Sequence, residues 1–97
     1  MIKISDLKPG MSGVGLIGKI VEVNEPREVM TRYGSVVTVT NAIMEDESGS
    51  VKLVLWGKQS EGITVGKKIE AINGYVKEYH GELQFGIGRD GSMRILE

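Results

Sequence analysis

Apolar residues fall in short runs along the chain, glycines interrupt them at short intervals, and β-branched residues dominate between the glycines. That pattern predicts an all-β domain of short strands. Residues 4–8 predict one N-terminal turn capped by Ser5, and Pro9-Gly10 ends it. Residues 12–24 predict a long first strand that stops near Asn24-Glu25-Pro26. A loop from Pro26 to Gly34 follows, carrying Arg27, Arg32 and Tyr33. Val36 to Glu45 predicts the second strand, apolar on both parities, so the pattern leaves its two faces unassigned. Asp46-Glu47-Ser48-Gly49 has Asp first and Gly fourth, the composition of a type I turn. Val51 to Trp56 alternates: Val51, Leu53 and Leu55 share one face, and Lys52, Val54 and Trp56 the other.

Gly57 to Gly66 is a connector too short and too glycine-flanked for a stable helix. Lys67 to Tyr79 predicts a fourth strand with a bend near Asn73-Gly74, and His80-Gly81 a two-residue hairpin turn. Leu83 to Ile87 predicts the fifth strand, with a short final pairing from residues 93–96. Five strands, the first one long, with a reduced connector between strands 3 and 4, predict a small Greek-key barrel. Closing the barrel removes the sheet edges that an open all-β chain of this size would expose. Gly13, Gly15 and Gly18 suit a strand that must curl through the barrel wall.

Length and composition narrow the function classes. Ninety-seven residues predict one domain, 1–97, that buries about 60–65% of the surface its unfolded chain exposes. One small core leaves little room for a deep substrate cavity. Without cysteine there is no disulfide framework, thiolate nucleophile or zinc ribbon, and His80 is the single histidine. No apolar run approaches the ~20 residues of a membrane span, and residues 1–6 lack a signal peptide's apolar stretch. The expectation is a soluble cytoplasmic domain without membrane, cofactor, metal or small-molecule substrate. Twelve Lys and Arg against 13 Asp and Glu give a net charge of −1. Nucleic-acid binding must therefore be argued from the placement of charge and not from its total.

Candidate motifs for catalysis dissolve on inspection. Gly13-Val14-Gly15-Leu16-Ile17-Gly18 spells a dinucleotide fingerprint, but a strand-like run, 19–23, follows it where that motif needs a helix. Glu45-Asp46-Glu47 lacks the alternating ligands of a calcium loop and reads as a solvated turn. His80 has no nucleophile or acid at a catalytic spacing. No enzyme is expected.

The aromatics say more. A hairpin with His80-Gly81 at its tip sets Tyr79 opposite Glu82, Lys77 opposite Gln84 and Tyr75 opposite Gly86. Those six share one face, while Val76, Leu83, Phe85 and Ile87 form the core face. Trp56 likewise lies opposite its strand's aliphatic side. A small barrel would ordinarily bury a tryptophan, since each large aromatic hides ~150–250 Å². Three outward aromatics interleaved with Lys52 and Lys77 suit a platform for unstacked bases, because every base presents a π-face. Lys52, Lys58, Lys67 and Lys68 face only Glu61 in sign between positions 52 and 68, and Arg27 and Arg32 sit in the first loop. Each lysine taken alone reads as ordinary solvated surface.

With those residues assembled, the chain resembles the archaeal single-OB-fold single-stranded-DNA-binding proteins and the OB domains of replication protein A. The resemblance runs from Ile4-Ser5-Asp6-Leu7-Lys8-Pro9-Gly10-Met11 through the 46–56 run to the Tyr75-x-x-x-Tyr79-x-Gly81 hairpin and Phe85. It implies an OB barrel that binds single-stranded DNA with little sequence preference, in replication or repair. Trp56, Tyr75 and Tyr79 match the family's stacking aromatics, and Arg27 and Arg32 its basic loop positions. Lys52 and Lys77 are added from the face assignment alone. Gly86 stands where eukaryotic relatives often carry a further aromatic, and Val37 where a basic residue is often found. The 97 residues hold no Gly-rich partner-recruiting tail, which suits an isolated domain or a small subunit among other OB-fold subunits. Two rivals stay open: a protein–protein assembly subunit using Val37, Val39, Ile43 and Val54, and single-stranded RNA binding.

Overall fold

The structure is a computed structural model and describes residues 2–97. Six strands form, in chain order: β1 (Val14–Val23), β2 (Arg27–Met30), β3 (Val36–Asp46), β4 (Gly49–Trp56), β5 (Lys68–Tyr79) and β6 (Glu82–Ile95). Their order around the sheet is β1-β5-β6-β4-β3-β2, and a further β1–β3 pairing closes β1, β3, β4, β5 and β6 into a barrel. All neighbours run antiparallel except β4 and β6, which pair in parallel over three residues. The expected five-stranded Greek-key barrel is therefore present, with one short strand added at its edge.

β1 closes the barrel by serving two partners. Val14–Lys19 pairs with β5, and Lys19–Val23 with β3. Gly18 sits at the change of partner. A Cβ there would lie 2.6 Å from Met44 Cγ and 2.9 Å from the Glu45 carbonyl oxygen, so no side chain fits. The Gly13–Gly18 run thus enters a barrel strand and feeds no helix.

β5 bends where the sequence placed the bend. Asn73 takes φ 58°, and the β5–β6 register shifts between Ile72 and Gly74. Gly74 is packed so closely on the Phe85 ring that a Cβ would run into it. Phe85, Leu16, Ile20, Met44, Leu53, Leu55 and Ile69 are fully buried and make the core. Each is worth about 1.5–3 kcal/mol of apolar transfer. The 57–66 connector reduces to a 3-10 turn, Gly57–Ser60, and a loop that buries Ile63.

The first turn differs in detail from the sequence reading. It spans Ile4–Asp6, and the Lys3 N–H donates to Asp6 Oδ2 at 3.1 Å. The carboxylate three residues on, and not the Ser5 hydroxyl, supplies the cap. Ser5 instead donates its N–H to Ser48 Oγ at 3.0 Å, and Ile4 donates its own to Asp46 Oδ2 at 2.9 Å. Ser48 gives Asp46 Oδ1 two further bonds, from its N–H at 2.7 Å and its hydroxyl at 2.5 Å. The β3–β4 turn thereby anchors the N-terminal segment. Burial pushes the Asp46 carboxyl up. The bonds from the Ser48 side chain and the Ile4, Ser48 and Gly49 backbone outweigh it and hold the group below its ordinary value.

The second difference is β2. Arg27–Met30 pairs with Val36–Val39, so Arg27 stands on a strand and not in a loop, while Arg32 stays in the turn. Four residues behind a proline, two of them charged, carry no strand pattern of their own. Such short charged strands are typical of a sheet edge.

Candidate nucleic-acid interface

Register places the candidate residues in rows across the outer face. Arg27 pairs with Val39, and Val39 with Trp56. In the next row Asn41 pairs with Val54, Val54 with Gly86, and Gly86 with Tyr75. Then Lys52 pairs with Gln84, and Gln84 with Lys77. The last pair before the hairpin tip is Tyr79 with Glu82. Directly paired residues point the same way, so Trp56, Tyr75, Tyr79, Arg27, Lys52 and Lys77 share one face.

Each ring has its own support. Trp56 is 40% exposed at the end of β4. Its backbone N–H donates to Gln59 Oε1 at 2.8 Å, and Gln59 Nε2 donates to the Ile87 carbonyl at 2.9 Å. Gln59 therefore ties the backbone beneath the indole to β6. Tyr75 is half-buried because its ring lies along β6, over Gly86 and Gly88. Tyr79 is 60% exposed beside the hairpin tip, with His80 edge-on to it at 4.2 Å between centroids and 75° between planes. His80 and Gly81 take φ 52° and 80°, the two positive values of a type I′ turn.

Arg27, Trp56, Lys77 and Tyr79 line one shallow groove. A small crevice between Trp56 and Tyr75, floored by Val54, Phe85 and Gly86, continues it. Arg27 and Lys77 are exposed and make no ion pair among the described residues. Lys52 is different: its Nζ lies 2.8 Å from Glu82 Oε1. Arg32 lines neither groove nor crevice and stands in the β2–β3 turn.

Two members of this face, Val29 and Asn41, were not singled out by the sequence. Val39 is only 3% exposed although it points outward; with Val29, Asn41, Val54 and Gln84 it lines the same groove. The double-parity apolar run of β3 was the signal: its inner residues fill the core, and its outer valine floors the groove. Tyr33, 84% exposed, stands in the β2–β3 turn. A roomier cleft beside the N-terminal turn is lined by charges of both signs, including Lys19, Lys68, Glu45 and Glu97, and by no aromatic. It offers nothing for a base to stack on.

Barrel topology and an aromatic outer face define an OB-fold binding domain. Residues 7–95 match the family described as single-stranded DNA binding protein Ssb-like, OB fold, and the chain belongs to that family. It is 36% identical over 86 residues to the single-stranded DNA binding protein Ssb of Saccharolobus solfataricus, covering 89% of this chain and 57% of that protein. It therefore spans little more than half of that relative. In structure it is similar to the replication factor A related protein from Methanobacterium thermoautotrophicum, with TM-score 0.84, 22% identity, and 100% and 91% of the two chains covered. It is also similar to the second OB-fold domain of replication protein A from Methanococcus maripaludis, with TM-score 0.82, 25% identity, and 99% and 94% covered. The family is one of binding proteins and not of enzymes. No helix among the described residues is long and apolar enough to cross a membrane.

Proposed function

We propose that the chain binds single-stranded DNA with little sequence preference, by stacking bases on Trp56, Tyr75 and Tyr79. The observation that carries this reading is the gathering of all three rings on one face, around a groove flanked by Arg27 and Lys77, cations without an ion pair among the described residues. Stacking on three rings needs no base-edge readout and gives ~1–3 kcal/mol per base. Arg27 and Lys77 meet the phosphates beside the groove, Arg32 meets them beyond it at the β2–β3 turn, and Lys52 lies between the rings. The expected site covers about 4–6 nucleotides. A role in replication draws on the names of the structural neighbours, replication protein A domains and a replication factor A related protein; repair and a cytoplasmic location complete the proposal.

Trp56 is the single tryptophan, so its fluorescence reports the face directly. Titration with oligo-dT quenches it if the reading holds. Absence of quenching at micromolar protein and low salt refutes it. An assembly role alongside other OB-fold subunits draws on the half-buried Val37, Ile43 and Val54 of the same face. It gives no quenching by oligo-dT and a mass above the monomer in the presence of the partner subunit. Tighter binding of oligo-rU than of oligo-dU would point to 2′-hydroxyl contacts and to RNA.

A further inference from the structure

Glu82 is the one acidic side chain in the rows of the aromatic face. It pairs in register with Tyr79, two positions along β6 from Gln84, which itself lies between Lys52 and Lys77. Its carboxylate meets the Lys52 ammonium at 2.8 Å, and the two side chains are 56% and 25% exposed. A half-exposed ion pair adds little to the stability of the fold, because solvent screens it and ordering two side chains costs entropy. Its position matters more than its strength. The pair stands beside the groove, next to Tyr79 in register and across Gln84 from Lys77, within reach of a phosphodiester that follows the rings.

We infer that Glu82 is an intramolecular competitor for phosphate: it occupies Lys52 and keeps that cation out of the nucleic-acid contact. The inference rests on the single-stranded DNA reading and adds a residue that limits affinity. Free, the face offers Lys52 and Lys77 on either side of Gln84. With Glu82 in place, an incoming phosphate either displaces the carboxylate from Lys52 or passes it under repulsion. The face then binds more weakly, and releases fewer counterions, than its cations would allow.

The test is a titration series of oligo-dT against wild type, Glu82→Gln, Lys52→Gln and the double variant, at several salt concentrations. Gln keeps the size of Glu and removes only the charge. Glu82→Gln is expected to tighten binding at low salt by roughly twofold to fivefold, since exposed charges of this kind are worth up to about 1 kcal/mol. The slope of log affinity against log salt should steepen by about 0.7, the value of one more phosphate neutralised on a single strand. Lys52→Gln in the Glu82→Gln background should abolish both gains. Thermal melts of the four proteins check that the barrel is intact. If wild type binds and Glu82→Gln binds equally or more weakly with an unchanged slope, Glu82 does not compete, and this inference fails alone. If wild type does not bind oligo-dT at all, the reading beneath it fails as well.

Discussion

The ring of Tyr75 lies across the backbone of Gly86. A Cβ at Gly86 would come within 2.6 Å of both the Cζ and the hydroxyl oxygen of that tyrosine. The glycine is thus the seat of the ring, which explains why an aromatic at position 86 and a flat Tyr75 exclude one another. Alanine in a strand interior is intrinsically favoured over glycine by ~0.5–1 kcal/mol. Gly86→Ala should therefore leave the melting temperature within a few degrees of wild type, because the half-buried ring can lift off the sheet. Oligo-dT affinity should fall by an amount approaching one lost stack, ~1–3 kcal/mol. Equal affinity by fluorescence titration would show that the seated position of Tyr75 is irrelevant to binding.

The three rings should contribute separately. Trp56→Ala, followed by anisotropy of a labelled oligonucleotide because the intrinsic reporter is gone, should cost ~1–3 kcal/mol. The Tyr75→Ala, Tyr79→Ala double variant should cost more than either single change. All three side chains are at least partly exposed, so circular dichroism should show the barrel retained. Unchanged affinity in the double variant would remove stacking as the mechanism.

Asp46 gives the fold a pH dependence of known sign. Its carboxyl is held below the ordinary value in the folded chain, so the folded state favours its ionised form. That stability is complete above the unfolded carboxyl's ~3.9 and disappears as pH falls through the lower folded value. Asp46→Asn should be less stable than wild type at neutral pH by about 1.5 kcal/mol, the low end of the scale for hydrogen bonds to a charged group, because solvent reaches the half-buried carboxylate. Denaturant melts should converge for the two proteins as the pH drops below about 4. A gap that stays constant down to pH 2 would contradict the hydrogen-bonded carboxylate.

The hairpin tip is a separate prediction. His80 occupies the left-handed region at φ 52°, where a β-branched side chain is strained by roughly 1–2 kcal/mol. His80→Val should lower the melting temperature, while His80→Asn, which completes an Asn-Gly type I′ turn, should hold or raise it. Equal melting temperatures for both variants would mean that this turn does not fix the hairpin.

Much of this was legible in the residues. The β5–β6 register from the tip to Gly74 followed from one turn, His80-Gly81, because a side-chain period of two assigns each position until the shift between Ile72 and Gly74. β4 declared its faces through clean alternation. β3 did not, since Val39 and Ala42 are both buried for different reasons: one lines the groove, the other the core. Arg27 was recognised as a candidate, but its strand was not, because β2 owes its existence to pairing with β3 and not to its own composition. The Lys52–Glu82 contact was out of reach for a similar reason. It joins strands brought together by the parallel pairing of β4 with β6, which no local pattern announces.

That parallel pairing spans only Lys52–Gln84, Leu53–Phe85 and Val54–Gly86. Arg27 and Trp56 stand on one side of it, and Tyr75, Lys77 and Tyr79 on the other. The platform is consequently split between two hairpin systems that meet on this face at three residue pairs, while β1 joins them on the other side of the barrel. Parting these pairs would abolish the platform while each hairpin remained zipped. An oligonucleotide lying across it would splint the barrel, so occupancy should slow amide exchange first along this join.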